Sequence, residues 1–479
     1  MHNGRHNTTS IIEIDAQIKE VEARYDLLRY TIDGWSIWPL LRRTVSLSLL
    51  AQPSLKTPKK NLYRWLYGKR VALAFLDLPK LLTHKKAQYA VKTYISSLRL
   101  EYDNGLFGDI YFDDIFKTLG EQFNIQSLTS ELFVPRRKLA RIKHDVTADT
   151  LDVMAKLLVR AGGPQYISSI AHDLRACLDQ AWNLKRFPVE MTIKMLRGFY
   201  WGKRLYGWLL KRTSAKYLLM INAYNEHTIV AAARDANIRV IEFQHGFLNR
   251  HHTGYSWSTY ALPYKKQMPL PDKLLLYGEY WKQELNTNGF WGNTLQVTGN
   301  PYLDKYRHEH KPEQDKICKI VLTTQRIDIE PLIAFMQQFL EIAKDKLKVH
   351  LYIKLHPFST FKKPFTDAFN ADPRVTVLLS HESPTTNELL ASSNFHTSIY
   401  STCHYEAIAL GTPTIILPFS GHDMVMPLFE AGHAAFVKTP QEFLETVSRY
   451  EQVKIPPEVS AWYYKPETLK NIMTLLQGM

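Results

Sequence analysis

Five short polar segments in this 479-residue chain each follow a run of apolar, β-forming residues. Gln244-His245-Gly246 follows Arg239–Phe243, and Gly299-Asn300-Pro301 follows Leu295–Thr298. Thr323-Thr324-Gln325 follows Ile317–Leu322, His356-Pro357 follows Val349–Leu355, and Tyr400-Ser401-Thr402 follows Phe395–Ile399. In open α/β sheets ligands bind beyond the carboxyl ends of the strands, so these side chains stand where chemistry is done. Ser401 or Thr402 can cap a helix over Cys403–Leu410, whose free N–H groups and dipole bind phosphate. Lys354 and His356 add cationic donors from a neighbouring strand, and Thr324, Gln325 and Ser398 add neutral ones. Glu406, one turn into the helix, is placed to accept from ribose hydroxyls. Gln244, Gly246 and Asn300 line the cleft side, with the glycine letting backbone turn or approach a ligand closely. Singly, each has a plainer reading: His356-Pro357 as a rigid strand exit, Ser401 and Thr402 as a cap, Glu406 as a solvated helix residue. Five such segments at consecutive strand ends favour a site.

Group transfer from an activated phosphate needs the leaving phosphate neutralised, an acceptor hydroxyl deprotonated and water excluded. Lys354, His356, Ser401 and Thr402 can neutralise phosphate without a metal, and no Asp-x-Asp string lies at an expected strand end. No metal and no cofactor are expected. The base must come from the N-terminal half, where Asp103, Glu226 and His245 are the candidates. Glu226 directly follows a strand and Asn222-Ala223-Tyr224-Asn225, but it also suits the N-terminus of the next helix. Asp103 lies in an Asp-Asn-Gly turn. These two stand level as the base, and His245 reads as a binder of donor or acceptor.

The elements that position these residues are read from periodicity. Residues 1–85 are expected to be mostly helical, Ala87–Ser96 a strand, and Thr147 to Thr213 three helices. Short apolar runs at Tyr217–Ile221, Arg239–Phe243, Lys273–Tyr277 and Leu295–Thr298 then alternate with helices at Thr228–Asp235 and Glu279–Leu285. That rhythm predicts parallel βαβ units. After the polar linker Asp304–Lys316 it resumes at Ile317–Leu322, Val349–Leu355, Val375–Leu379, Phe395–Ile399 and Thr414–Leu417, and the chain closes on a helix over Leu469–Leu476. The expected architecture is α/β, with two Rossmann-like domains facing a central cleft and a helical N-terminal region. The expected limits are 1–300 on the acceptor side, 301–450 on the nucleotide side, and 451–479 as a helix crossing back.

Length alone favours two cores. Hydrophobic residues at 45% and charged residues at 22% argue against extensive disorder. No run approaches the roughly 20 apolar residues of a spanning helix, and Met1–Ser10 lacks the apolar core of a secretory leader. Three scattered cysteines fit a reducing cytoplasm. The net charge of +14 is uneven: twelve basic residues against one acidic lie between Arg42 and Lys92, and nine against one between Lys185 and Lys216. The second stretch interleaves Phe199, Tyr200, Trp201, Tyr206 and Trp208. Basic residues mixed with aromatics suit an anionic membrane surface, though a solvated basic face weighs about equally. Nucleic acid is not the expected partner.

These segments resemble those of bacterial surface-polysaccharide transferases. Lys354-Leu355-His356-Pro357, with Ser398 and Ser401-Thr402, is similar to the His-Pro and Ser/Thr motifs of bacterial sialyltransferases and polysialyltransferases. There the resemblance implies contact with the phosphate of a CMP-sugar. Gln244-His245-Gly246 resembles a segment of the capsule Kdo transferases, and the teichoic-acid glycerophosphotransferases carry a related His-Gly segment with a later His-Pro. Glu406-Ala407 through Leu410-Gly411-Thr412-Pro413 is similar to the closing helix of GT-B enzymes, sugar epimerases included. The resemblance covers about Lys216 to Ala435. The acidic-acidic-glycine motif of the sialyltransferases has no clear counterpart; Tyr102-Asp103-Asn104-Gly105 is nearest, so a UDP- or GDP-sugar stays open beside CMP. The resemblance implies a GT-B glycosyltransferase at the inner face of the bacterial cytoplasmic membrane. Its partners would be a nucleotide sugar, a glycan or glycolipid acceptor and a polysaccharide assembly complex. Polyol-phosphate transfer of the CDP-glycerol kind, sugar epimerisation and a catalytically inactive GT-B subunit are the alternatives.

Overall fold

The computed structural model describes residues 11–50, 78–83, 85–94, 98–101, 107–127, 145–182, 187–307, 317–356, 362–380, 382–449 and 452–479. Asp103 and Pro357 lie outside the described residues, as do most of the linker and much of the first basic stretch. Contacts divide the chain into two compact units. The first is Met1–Leu276 with Trp281–Gln296, and the second is Tyr277–Tyr280 with Val297–Met479.

The first unit is built on a seven-stranded sheet. Its strands are β1 (Tyr89–Tyr94), β2 (Gln122–Ser127), β3 (Val146–Thr147), β4 (Tyr217–Ile221), β5 (Arg239–Phe243), β6 (Lys273–Leu276) and β7 (Leu295–Val297). They lie in the order β7-β6-β5-β4-β1-β2-β3. The pairs β1–β2, β1–β4, β2–β3, β4–β5 and β5–β6 are parallel. Every residue of β4 is buried, as the apolar run in a parallel strand requires. Strand β2, with the sequence QFNIQS, was not among the expected strands, because three of its side chains are amides. The Thr93 hydroxyl on β1 lies 2.7 Å from Asn124 Oδ1 and 2.6 Å from Gln126 Oε1, so polar groups of neighbouring strands satisfy one another inside the sheet.

The three expected helices are Ala148–Ala161, Gln165–Trp182 and Val189–Thr213. The last, α5 when α1 is Ile11–Arg24, α2 is Trp38–Leu50 and the other two are α3 and α4, packs on α6 (His227–Asp235). At their crossing a Cβ on Gly202 would stand 2.8 Å from Thr228 Cγ2, so the small residue permits the approach. The basic-aromatic stretch of α5 is largely occupied within the fold. Lys203 is buried and pairs with Asp235 at 2.6 Å and Asp33 at 3.3 Å, while Arg204 pairs with Asp33 at 2.8 Å. The Arg204 guanidinium also lies 3.5 Å from the Tyr200 ring centroid. Lys211 and Arg212 are the exposed cations of its last turn. Among the described residues no helix is long and apolar enough to cross a membrane.

The second unit carries a six-stranded sheet of β8 (Cys318–Thr323), β9 (Val349–Lys354), β10 (Val375–Leu378), β11 (Phe395–Ser398), β12 (Thr414–Ile416) and β13 (Ala435–Phe436). The order is β10-β9-β8-β11-β12-β13, and every neighbouring pair is parallel. Alternate residues of β8 face different helix layers. Cys318, Ile320 and Leu322 pack with the helices Ile329–Ala343 and Pro440–Val447, whereas Val321 packs with Leu389, Leu390 and Ala407. A sheet between two helix layers is the doubly wound arrangement. The C-terminal helices Pro457–Tyr463 and Thr468–Gln477 belong to this unit. Arg307 ties them down, donating to Ala409 O at 2.9 Å and Tyr464 O at 2.6 Å, and Asp304 accepts from Thr468 N at 2.7 Å. Both units are α/β and Rossmann-like, as the alternation of runs predicts.

Candidate functional site

In each sheet the winding reverses at one place. From β8 the chain moves outward through β9 and β10, then returns to the other side of β8 as β11. The switch point is therefore the β8/β11 crevice, and in doubly wound sheets ligands bind there beyond the strand ends. Thr323 closes β8 and Ser398 closes β11. The Ser398 hydroxyl donates to Thr323 O at 2.7 Å, and Gln325 Nε2 lies 3.0 Å from Ser398 Oγ, so the two exits are joined. On the β9 side, His356 N donates to Thr324 Oγ1 at 3.2 Å. Ser401 Oγ accepts from Cys403 N at 3.2 Å, while Thr402 makes no side-chain cap. Glu406 lies beside the Cys403 thiol, which burial first and that carboxylate second push up to about 12, so the thiol stays protonated.

The structure thus brings Thr324, Gln325, His356, Ser398, Ser401 and Glu406 to neighbouring strand ends of one sheet. Lys354 has a different occupation from the one its sequence position suggests. It is buried, and its ammonium donates to the backbone carbonyls of Glu382 and Pro384, the latter at 2.7 Å. Desolvation lowers its pKa. Asn300 caps the turn of helix at Pro301–Asp304 by accepting from Tyr302 N at 3.0 Å. Below the crevice, His396 bridges Thr323 Oγ1 at 2.9 Å and Thr414 Oγ1 at 2.7 Å, and His404 Nδ1 meets the same Thr414 hydroxyl at 2.6 Å. Burial pushes both imidazoles down, His404 to about 3, so they are neutral structural struts.

The first unit has its own switch point. The chain runs from β1 through β2 to β3, then β4 returns to the opposite side of β1. Glu226 lies just past β4 there, ahead of α6, where it makes no side-chain cap. Its carboxylate pairs at 2.6 Å with Lys92 of β1, whose side chain is 2% exposed against 22% for Glu226. Lys92 escaped the sequence reading; its signal was a lone cation inside an otherwise apolar and β-branched run.

One strand further, Glu242 of β5 is fully buried. Its Oε1 accepts from Ala223 N at 2.8 Å and from the Tyr255 hydroxyl, while Oε2 has no partner among the described residues. Burial outweighs these bonds and pushes its pKa up to about 7. Gln244 then closes its own turn, its Nε2 donating to Gly246 O at 2.9 Å. Gly246 adopts no left-handed φ, and a Cβ there would meet nothing within 4 Å, so the expected need for a glycine does not come from the chain itself. His245 stacks on Tyr224 with centroids 6.0 Å apart at 17°, and the Tyr111 hydroxyl donates to its carbonyl at 3.0 Å. His252 meets Tyr224 edge-on at 4.9 Å. Burial, with Arg43 close by, pushes His245 down to about 4, and burial pushes His252 to about 3. Both rings are neutral at physiological pH.

The N-terminal helices hold this loop. Buried Arg42 of α2 pairs with Glu22 of α1 at 2.5 Å, lies over the Trp257 ring at 4.3 Å and donates to Thr253 O. Gly254 follows, and a Cβ there would stand 2.5 Å from Tyr224 Cγ. Gly254→Ala is therefore expected to displace Tyr224 and cost about 1–3 kcal/mol, the usual effect of overpacking. Chemical denaturation of the variant checks this, and unchanged stability would mean the loop relaxes freely. Among the described residues, no cluster of three or more His, Cys, Asp or Glu is placed to hold a metal ion.

No protein-family model matches this chain, and no curated protein matches it in sequence. Solved structures do match. UDP-GlcNAc 2-epimerase from Methanocaldococcus jannaschii is 11% identical over 82% of this chain and 99% of its own, with a TM-score of 0.51. Acinetobacter baumannii MurG is 9% identical over 82% and 100%, with a TM-score of 0.47. The wall teichoic acid polymerase TagF is 12% identical over 88% and 98%, with a TM-score of 0.45. The likeness is one of fold, carried by the first of the three, and that fold is GT-B.

Proposed function

We propose that this chain transfers a sugar from a nucleotide-activated donor to a glycan or glycolipid acceptor in bacterial surface-polysaccharide synthesis. CMP-Kdo or a CMP-sialic-type sugar is the favoured donor, in keeping with the resemblance of its His-Pro and Ser/Thr segments. The observation that carries the reading is the gathering of Thr324, Gln325, Ser398 and Ser401 at the β8 and β11 exits, with the backbone N–H of His356, from the adjacent β9 exit, bonded to Thr324. Hydroxyl and amide groups at these exits, with the His356 imidazole on the next one, suit the phosphates of a leaving nucleotide, with Glu406 toward the ribose. On the first unit, Glu226 is the carboxylate proposed to take the acceptor proton, and neutral His245 orients the acceptor hydroxyl.

Calorimetry with CMP, UDP and GDP tests the donor side, UDP being included because a 2-epimerase of UDP-GlcNAc shares the fold. His356→Ala is expected to weaken binding of the preferred nucleotide about tenfold or more, since a hydrogen bond to a charged group contributes roughly 1.5–3 kcal/mol. The fold should survive, because a strand-exit side chain carries little core packing. Wild-type affinity in the variant would remove His356 from the site. A nucleotide sugar epimerised without any acceptor would make the chain an epimerase instead.

A further inference from the structure

Several cations of the first unit come with acidic partners among the described residues. Arg42 has Glu22, Lys92 has Glu226, Lys203 has Asp235, and Arg250 has Glu284. Arg43, the neighbour of Arg42 on α2, has no carboxylate among the described residues. Its guanidinium donates to the amide oxygen of Asn225 and lies 5.3 Å from the Tyr224 ring centroid. Proximity to Arg43 is also one cause of the lowered pKa of both His245 and His252.

A second, independent observation points to the same place. His245 Nδ1 is buried and has no hydrogen-bond partner among the described residues. Buried polar atoms are nearly always paired, so this ring nitrogen in a strand-end loop is available to a ligand. Next to it, the space around Gly246 is open. His252 Nδ1 accepts from Gly254 N at 3.1 Å, which leaves the proton on Nε2 as a further donor. The nearest carboxylates do not oppose an anion, because Glu226 is neutralised by Lys92 and Glu242 is enclosed.

We propose that Arg43, His245 and His252 form a subsite for an anionic group, a carboxylate or a phosphate, carried by the acceptor. The inference rests on the transferase reading and narrows it: the acceptor is an acidic glycan or a phosphate-bearing one. Arg43 supplies the fixed charge and a forked set of donors, and the imidazoles supply neutral N–H groups. Tyr224 packs between these groups and holds them together.

The test is a titration of the full chain followed by histidine ring resonances in NMR. Inorganic phosphate and glucuronate are the two charged probes, and glucose is the neutral one. The His245 and His252 signals should shift saturably with phosphate, glucuronate or both, and not with glucose. The stronger probe identifies the anion class. Arg43→Gln should weaken that binding about tenfold or more, and Arg43→Lys should recover part of it. In transfer assays Arg43→Gln should raise the acceptor KM by a similar factor and leave nucleotide affinity unchanged. Titrations in which neither anion moves these resonances, or in which Arg43→Gln behaves as wild type, overturn the subsite. If the anions bind through Arg43 while no nucleotide sugar binds or reacts, the subsite stands and the transferase reading falls.

Discussion

Glu226→Gln is expected to lower stability by roughly 2–4 kcal/mol, because it strands the Lys92 ammonium in the sheet without its counter-charge. Lys92 is 2% exposed, so water cannot replace the lost carboxylate, whereas Glu226 at 22% can hydrate if its partner goes. Lys92→Met should therefore be the milder change, and Lys92→Met with Glu226→Gln should regain most of the lost stability, since a buried pair replaced by neutral groups is often close to neutral. That asymmetry separates folding from chemistry. If Glu226 removes the acceptor proton, the stable double variant should still transfer about 100- to 10,000-fold more slowly, the usual contribution of a positioned base. Lys92→Met alone should stay within about tenfold of wild type, because the base remains. Denaturation curves and single-turnover transfer rates on the three variants decide it. A double variant that folds and transfers at the wild-type rate would make Glu226 only the counter-charge of Lys92.

The strand-end segments were legible because a parallel sheet imposes a simple grammar on the chain. Buried strands read as apolar runs, and whatever follows them must turn at the ligand-binding edge. That grammar placed Gln244–Gly246, Thr324–Gln325, His356 and Ser401 at strand exits without knowledge of strand order. It could not reveal the switch points, since the reversals at β1/β4 and β8/β11 depend on which strands pair across more than 70 residues of sequence. Nor could it reveal partners. Lys354 reads as a phosphate ligand until the carbonyls of Glu382 and Pro384 are seen around its ammonium. Arg42 reads as one more surface cation until Glu22 and Trp257 enclose it. Strand β2 was lost because its amides break the apolar pattern, and only the Thr93 hydroxyl across the ladder explains their burial. Two further residues carried a signal of a different kind. Lys92 in YAVKTY and Glu242 in RVIEF are lone charges within strand-like runs, and a parallel sheet tolerates such a residue only when something specific answers it.

For Glu242 that answer is incomplete, and the consequence is a pH dependence of known sign. Its carboxyl has no exposure, two donors on one oxygen and, among the described residues, none on the other, and a pKa raised from the ordinary 4.5 to about 7. The groups that face it are the Tyr255 hydroxyl and the backbone N–H of Ala223, with Tyr94 and Tyr224 nearby. Because the folded chain holds this proton more tightly than the unfolded chain, folding takes up a proton between pH 4.5 and 7. Stability carried by the protonated form is therefore lost as pH rises through that window, and it is flat above it. A displacement of this size corresponds to a change on the order of 3 kcal/mol. Glu242→Gln keeps an oxygen for Ala223 and Tyr255 but cannot ionise. Its stability relative to wild type should rise by on the order of 3 kcal/mol between pH 4.5 and pH 8, whatever fixed cost its unpaired amide adds. Urea denaturation of both proteins at several pH values in that range measures the difference directly. A constant difference would show that Glu242 is charged, and paired, throughout the range. Above neutral pH the carboxylate accepts from Ala223 N and Tyr255 by charge-assisted bonds, which offset part of the cost of burying its charge but not all of it, since burial still holds the pKa at about 7.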